Sequence, residues 1–173
     1  MPYKLLFVCL GNICRSPAAE NIMNHLIVQA GLSESSTETL RLSDGLRQRE
    51  RIICDSAGTS SYHIGSPPDR RMSAAAAMRG ISMTGRARQF QVADFENYDL
   101  ILAMDKDNYL DILALDPRQQ YRHKVRLMCE FATRHQIQEV PDPYYGGREG
   151  FEKVIDLLLD SCEGLLEYVK SSL

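Results

Sequence analysis

The sequence predicts an α/β domain, a parallel sheet with helices on both of its faces. Short apolar runs of strand length alternate with helical stretches whose apolar residues recur every three or four positions. One run, YDLILAMD at 98–105, is apolar nearly throughout, as a parallel strand covered on both faces has to be. The length agrees with one core: 173 residues suit a single domain and bury enough surface to need no disulfide or metal staple. Such an alternation closes with right-handed crossovers and puts a ligand site at the C-terminal ends of the strands.

The elements follow in order. YKLLFVC is a β-favouring run that stops at Gly11-Asn12. A helix is expected from about Ser16 to Ala30, with Ala19, Ile22, Met23, Leu26 and Ile27 on one face and Gly31 closing it. RIICDSAGT is the second strand. PPDRRMSAAAAMRGI starts on prolines, tolerated at a helix N-terminus, and ends at Gly80, so it reads as a short helix. After YDLILAMD a helix is expected from Lys106 to Leu115, ahead of Asp116-Pro117. KVRLMCEF is a weaker fourth strand. The last segment places Phe151, Val154, Ile155, Leu158, Cys162, Leu165, Leu166 and Val169 on one helical face, with Gly164 as a cost to that helix. Residues 33–51 are polar, charge-rich and long for a loop, and are read as an insertion in a domain spanning 1–173.

Composition excludes some partners. A net charge of −3 speaks against a general nucleic-acid binder, which would be distinctly basic. The apolar run Leu5–Leu10 is too short for a signal core or a membrane span. A cytoplasmic protein with no membrane insertion is the expectation, its five cysteines read as thiols rather than a disulfide framework. Cys54, Cys129 and Cys162 are read as buried structural thiols on strands or a helix, and His25, His63, His123 and His135 as scattered and solvated. No metal-ligand cluster is evident and no cofactor is expected.

The chemistry concentrates where the first strand ends, in CLGNICRS. Cys9 closes the strand and Arg15 opens the helix, with five residues between. That spacing turns the amides of Leu10, Gly11, Asn12, Ile13, Cys14 and Arg15 inward at the positive end of a helix dipole, a nest for a tetrahedral oxyanion. Gly11 permits close backbone approach, and Asn12 tolerates the left-handed conformation of a tight cradle. Arg15 adds a planar fork that grips two oxygens. The same field favours a thiolate nucleophile at Cys9, and Ser16 is placed to donate its hydroxyl to that sulfur. Such a sulfur is also the most oxidisable in the chain, and Cys14 in the same loop is a candidate to capture its sulfenic acid.

Displacement at phosphorus needs a proton for the leaving oxygen. Asp142, between Pro141 and Pro143 in EVPDPYYGG, is the candidate, on a loop that both prolines stiffen. An ordinary Asp-Pro turn is the alternative. Tyr144 and Tyr145 follow it, either walling an aromatic substrate or packing half-buried.

The stretches LFVCLGNICRSPAAE, DSAGTSSYHIGSPPD, ARQ at 87–89, YDLILAMDKDN and DPYYG resemble the low-molecular-weight protein tyrosine phosphatase family. They run in the family's order and cover most of the chain outside 33–51. The resemblance implies a four-stranded parallel sheet, a phosphotyrosine protein phosphatase I-like fold, and hydrolysis of phosphotyrosine or aryl phosphates through a cysteinyl-phosphate. It implies Cys9 as nucleophile, Arg15 and the loop amides on the phosphoryl oxygens, and Asp142 as acid and then base. Asn12, Ser16 and Ser56 match loop-supporting positions; Tyr62, Tyr144 and Tyr145 match positions at the mouth of the site. Arg79 departs from the pattern, standing where the family has a histidine.

Two alternatives share the anion loop. An arsenate reductase of this fold needs two further cysteines near residues 75–95, where this chain has none. A non-catalytic phosphoprotein-binding module would need neither Cys9 nor Asp142.

Overall fold

A computed structural model describes residues 2–33 and 51–173. Four parallel strands form one sheet: β1 (Tyr3–Cys9), β2 (Ile52–Gly58), β3 (Leu100–Ala103) and β4 (Val125–Leu127), in the order β2-β1-β3-β4. Helices α1 (Arg15–Gln29), α2 (Arg70–Ala77), α3 (Asp94–Asn97), α4 (Lys106–Ala114) and α5 (Arg148–Ser172) fill the connections and the C-terminus. The fold class expected from the sequence is the one observed. The polar stretch read as an insertion lies, apart from its end residues 33 and 51, outside the described residues.

The central strand explains its own sequence. Successive side chains of a strand face opposite ways. Leu5, Phe7 and Cys9 therefore enter the core shared with Ile22 and Met23 of α1 and Phe151 and Leu158 of α5. Leu6 and Val8 enter the second core with Phe95, Ile101, Ile112 and Val125. Both faces are dry, so an alternating pattern is absent from LLFVC. Each such large side chain, fully buried, contributes about 1.5–3 kcal/mol.

The fourth strand is shorter than KVRLMCEF suggests. It ends at Leu127, and Met128–Phe131 form a 3-10 turn. Cys129 is thus on that turn rather than on a strand, and Cys54 in β2 is only half-buried; Cys162 is buried as expected. A carboxylate on α5 fixes the chain just beyond that turn. Asp160, with no side-chain exposure, accepts from the backbone N–H of Thr133, Arg134 and His135 at 3.0, 3.0 and 2.9 Å and meets His135 Nδ1 at 2.7 Å. Burial alone would raise its pKa; the bonds from His135, Thr133 and Arg134 hold it well below the usual carboxylate range instead. His135 is therefore anchored, not merely solvated. Gly164 serves the same junction, since a Cβ there would overlap the carbonyl oxygen of Phe131.

Element boundaries differ slightly from the sequence reading. Helix α1 begins at Arg15 and α5 at Arg148, and the short α3 has no counterpart in the expectations. Helix α2 begins after the prolines on Asp69, whose carboxylate accepts the N–H groups of Arg71 and Met72. Among the described residues no helix is long and apolar enough to cross a membrane.

Candidate active site

The β1–α1 loop is folded by bonds on its outer side. The carbonyls of Cys9 and Leu10 accept from Thr59 and Ser60, each at 2.9 Å; that of Ile13 accepts from Asp69 at 2.8 Å, and that of Cys14 from Ala18 at 3.1 Å. With these carbonyls occupied outward, the amides between them turn toward the centre. Asn12 takes a φ of 56°, the left-handed conformation its type tolerates. At Gly11 a Cβ would come within 2.9 Å of the His63 ring, and at Gly58 within 2.7 Å of the Leu10 carbonyl, so both glycines are dictated by close approach. Helix α1 has no side-chain cap and no acidic residue in its first turn, which leaves its positive end uncompensated.

Cys9 Sγ lies on the floor of this loop, 3.0 Å from Ser16 Oγ, and accepts the Asn12 N–H at 3.3 Å. Arg15 is 3% exposed. Its Nη1 donates to Asp105 Oδ2 at 2.6 Å and to the Val140 carbonyl at 3.0 Å, which leaves Nε and Nη2 for an oxyanion. Burial alone would weaken its protonation; Cys9, then Asp105 and Asp142, more than offset that. Asp142 stands across the opening, its Oδ2 3.7 Å from Arg15 Nη2 and its Oδ1 accepting the Tyr144 N–H at 3.0 Å. A cavity of about 380 Å³ is lined by Cys9, Leu10, Gly11, Ile13, Cys14, Arg15, Asp142, Tyr62, Tyr144 and Tyr145, together with Ser60 and His63. Tyr62 and Tyr145 are nearly fully exposed at its rim, and Tyr144 meets Tyr145 edge-on at 5.0 Å.

Of the loop residues named from sequence, Asn12 and Ser16 stand behind the cavity rather than in its wall. Asn12 Nδ2 donates to Ser16 Oγ at 2.8 Å and to Ser56 Oγ at 2.9 Å, while its Oδ1 accepts the Arg88 N–H at 2.9 Å. The chain of contacts continues outward. Ser56 adjoins Glu20, whose carboxyl is pushed up to about 8 by burial and then by the neighbouring Asp55. Asp55 is paired with Arg88 at 3.0 Å. Arg79 takes no part in this chain of contacts: it pairs with Asp156 of α5.

Four contributors were not read from the sequence. Asp105 holds Arg15 and also caps α4 through Asn108 N–H at 2.8 Å. Its place just past the C-terminal end of a parallel strand was the available signal. His63, expected from the sequence to be solvated, is half-buried in the wall, its ring 6.3 Å from that of Tyr144. Glu20 and Gly58 carry no local signature at all.

What such a cradle does chemically is narrow. It holds a tetrahedral dianion and offers a sulfur nucleophile to its centre, which is the equipment of a cysteine-dependent phosphatase. Known proteins narrow it further. The model of the low molecular weight phosphotyrosine protein phosphatases matches residues 4–173. A low molecular weight protein-tyrosine-phosphatase of Synechocystis is 58% identical over 163 residues, 94% of either chain. The human low molecular weight phosphotyrosine protein phosphatase is 36% identical over 165 residues, 95% of this chain and 94% of its own. A crystal structure of a protein tyrosine phosphatase from Entamoeba histolytica superposes with a TM-score of 0.85 at 44% identity, covering 98% of both chains. The chain belongs to the low molecular weight phosphotyrosine protein phosphatase family, whose enzymes hydrolyse phosphotyrosine through a cysteinyl-phosphate.

Proposed function

We propose that Cys9, Arg15 and Asp142 carry out this hydrolysis on a phosphotyrosine-bearing protein or an aryl phosphate. One observation carries the assignment: the Cys9 sulfur, the free edge of the Arg15 guanidinium and the Asp142 carboxyl face one cavity with aromatic walls. In the first step the Cys9 thiolate attacks phosphorus and the P–O bond to the phenol breaks. Asp142 gives its proton to the leaving oxygen. The amides of residues 10–15, with Arg15 Nε and Nη2, hold the equatorial oxygens where charge builds up. In the second step Asp142 takes a proton from water as that water attacks phosphorus, releasing phosphate and restoring the thiolate. Tyr62, Tyr144 and Tyr145 flank the phenol ring, and Asn12, Ser16 and Ser56 fix the loop beneath it.

The test of Asp142 is its leaving-group dependence. Asp142→Asn is expected to lower kcat by about 10²–10⁴-fold for phenols that leave poorly, and far less for activated aryl phosphates. An equal loss across the series of leaving-group pKa values would place the acid elsewhere.

Cys14 is proposed as the thiol that protects Cys9. Both sulfurs are free thiols and both line the cavity. Burial, then Asp69 and the Cys9 charge, push the Cys14 thiol up to about 12, so it does not compete as a nucleophile at rest. Peroxide converts the Cys9 thiolate to a sulfenic acid and so removes that neighbouring charge. The Cys14 sulfur then displaces water to form a disulfide, which a thiol reductant reopens. Wild-type enzyme inactivated by peroxide is expected to recover fully with dithiothreitol, whereas Cys14→Ser progresses to irreversible loss, and phosphate slows both. Full recovery of Cys14→Ser, with no 9–14 crosslink in peptide mass maps, would end the proposal.

A further inference from the structure

A second concavity runs off the catalytic cavity. It has a volume of about 650 Å³ and shares two wall residues with the cavity, Leu10 and Ser60. Its floor is the buried pair Phe90 and Ile112, and its rim carries Val92 and Leu115, 58% and 45% exposed, beside Leu10 at 48%. The three rim side chains come from three separate elements, the anion loop, the segment before α3 and the end of α4. Exposed apolar side chains gathered beside a reaction centre, here among the polar Thr59, Gln89 and Gln91 of the same wall, mark a place where something docks. Asp111 on α4 is the one charged residue among those described in its wall.

We propose that this groove binds the residues flanking phosphotyrosine in the substrate chain, and that it selects apolar side chains over acidic ones there. The inference rests on the phosphotyrosine reading above. Continuity through Leu10 and Ser60 names the occupant: a chain whose phenol ring fills the cavity must leave it along an adjoining wall. At roughly 3.3 Å per extended residue, a groove that begins at Leu10 receives the first few neighbours of the phosphotyrosine. Leu10, Val92 and Leu115 cover an apolar side chain. An acidic side chain finds no cation among the described residues of the wall and meets the Asp111 carboxylate instead, a like-charge contact that acts against the wrong partner.

The experiment compares matched phosphotyrosyl peptides carrying Leu or Glu at single positions from three before to three after the phosphotyrosine. Phosphate release is measured with wild type, Asp111→Lys and Val92→Glu, and p-nitrophenyl phosphate serves as a substrate too small for the groove. At one or more positions on one side, wild type is expected to prefer Leu by about 10-fold in kcat/KM, the worth of partly burying one leucine. Asp111→Lys should move that ratio toward Glu by about 2–5-fold, the scale of an exposed charge pair. Val92→Glu should deepen the preference against Glu, with p-nitrophenyl phosphate turnover unchanged in both variants. Peptide turnover that is indifferent to every flanking residue would overturn the groove and leave the phosphotyrosine reading standing. Equal changes in p-nitrophenyl phosphate and peptide turnover would overturn it too, because the substitutions would then be acting through the fold. Turnover of p-nitrophenyl phosphate without any phosphotyrosyl peptide would remove the underlying reading instead.

Discussion

Cys9→Ser is expected to lose about 10⁶-fold in kcat toward p-nitrophenyl phosphate, the scale seen when an enzyme loses its nucleophile. A hydroxyl is a far weaker nucleophile at neutral pH than a cysteine sulfur. The sulfur is held by two donors, Ser16 Oγ at 3.0 Å and the Asn12 N–H at 3.3 Å, and both can hydrogen-bond an oxygen at the same point. The fold and the amide nest therefore survive. Phosphate binding, followed as protection against thermal unfolding, should persist in the variant while turnover and the phosphorylated-enzyme intermediate vanish. Residual turnover within 10-fold of wild type would mean that another group attacks phosphorus.

Arg15→Lys is expected to lower kcat by at least about 10³-fold, in the range of arginine groups that stabilise phosphoryl transfer. The reason lies in how the guanidinium is divided. One nitrogen is committed to Asp105 and the Val140 carbonyl, at 2.6 and 3.0 Å, while the other edge faces the cavity and Asp142. A lysine ammonium is a single point of charge on a flexible stem. It keeps the ion pair with Asp105 or reaches the phosphoryl oxygens, and cannot do both in the fixed planar geometry. Because the charge is retained, the half-buried Asp105 carboxylate is not orphaned, and folding is expected to be maintained. The check is kcat beside a melting curve: near-wild-type kcat in a folded Arg15→Lys protein would show that the fork is dispensable.

These two variants separate the halves of the site that a linear reading sees unequally. Cys9 and Arg15 sit six positions apart on a strand–loop–helix, where local rules apply: a strand end, a turn that needs Gly11 and Asn12, and a helix N-terminus. Asp105 and Val140, which aim the arginine, are 90 and 125 positions away and reach it only through the sheet and the loop before α5. Sequence pattern reports what a residue does to its own segment. It is silent on which distant segment folds back against it.

The same division runs through the whole molecule. From the sequence alone came the parallel α/β class, the two-sided burial of LILA, the anion loop with its cysteine and arginine, and Asp142 beside its tyrosines. All of these are short-range consequences of period, of backbone permission and of the chemistry a phosphoryl group demands. Tertiary structure alone decided the rest. It cut the fourth strand to Val125–Leu127, where the 3-10 turn Met128–Phe131 takes over, and tied the amides of Thr133, Arg134 and His135 to the buried Asp160 carboxylate. It made Gly164 a contact with Phe131 rather than a weakness in α5, sent Arg79 to Asp156, and brought His63 into the wall of the site. Each of these depends on which atoms become neighbours across separate elements, and a buried hydrogen bond or a missing Cβ acquires its meaning only from the atom on the other side.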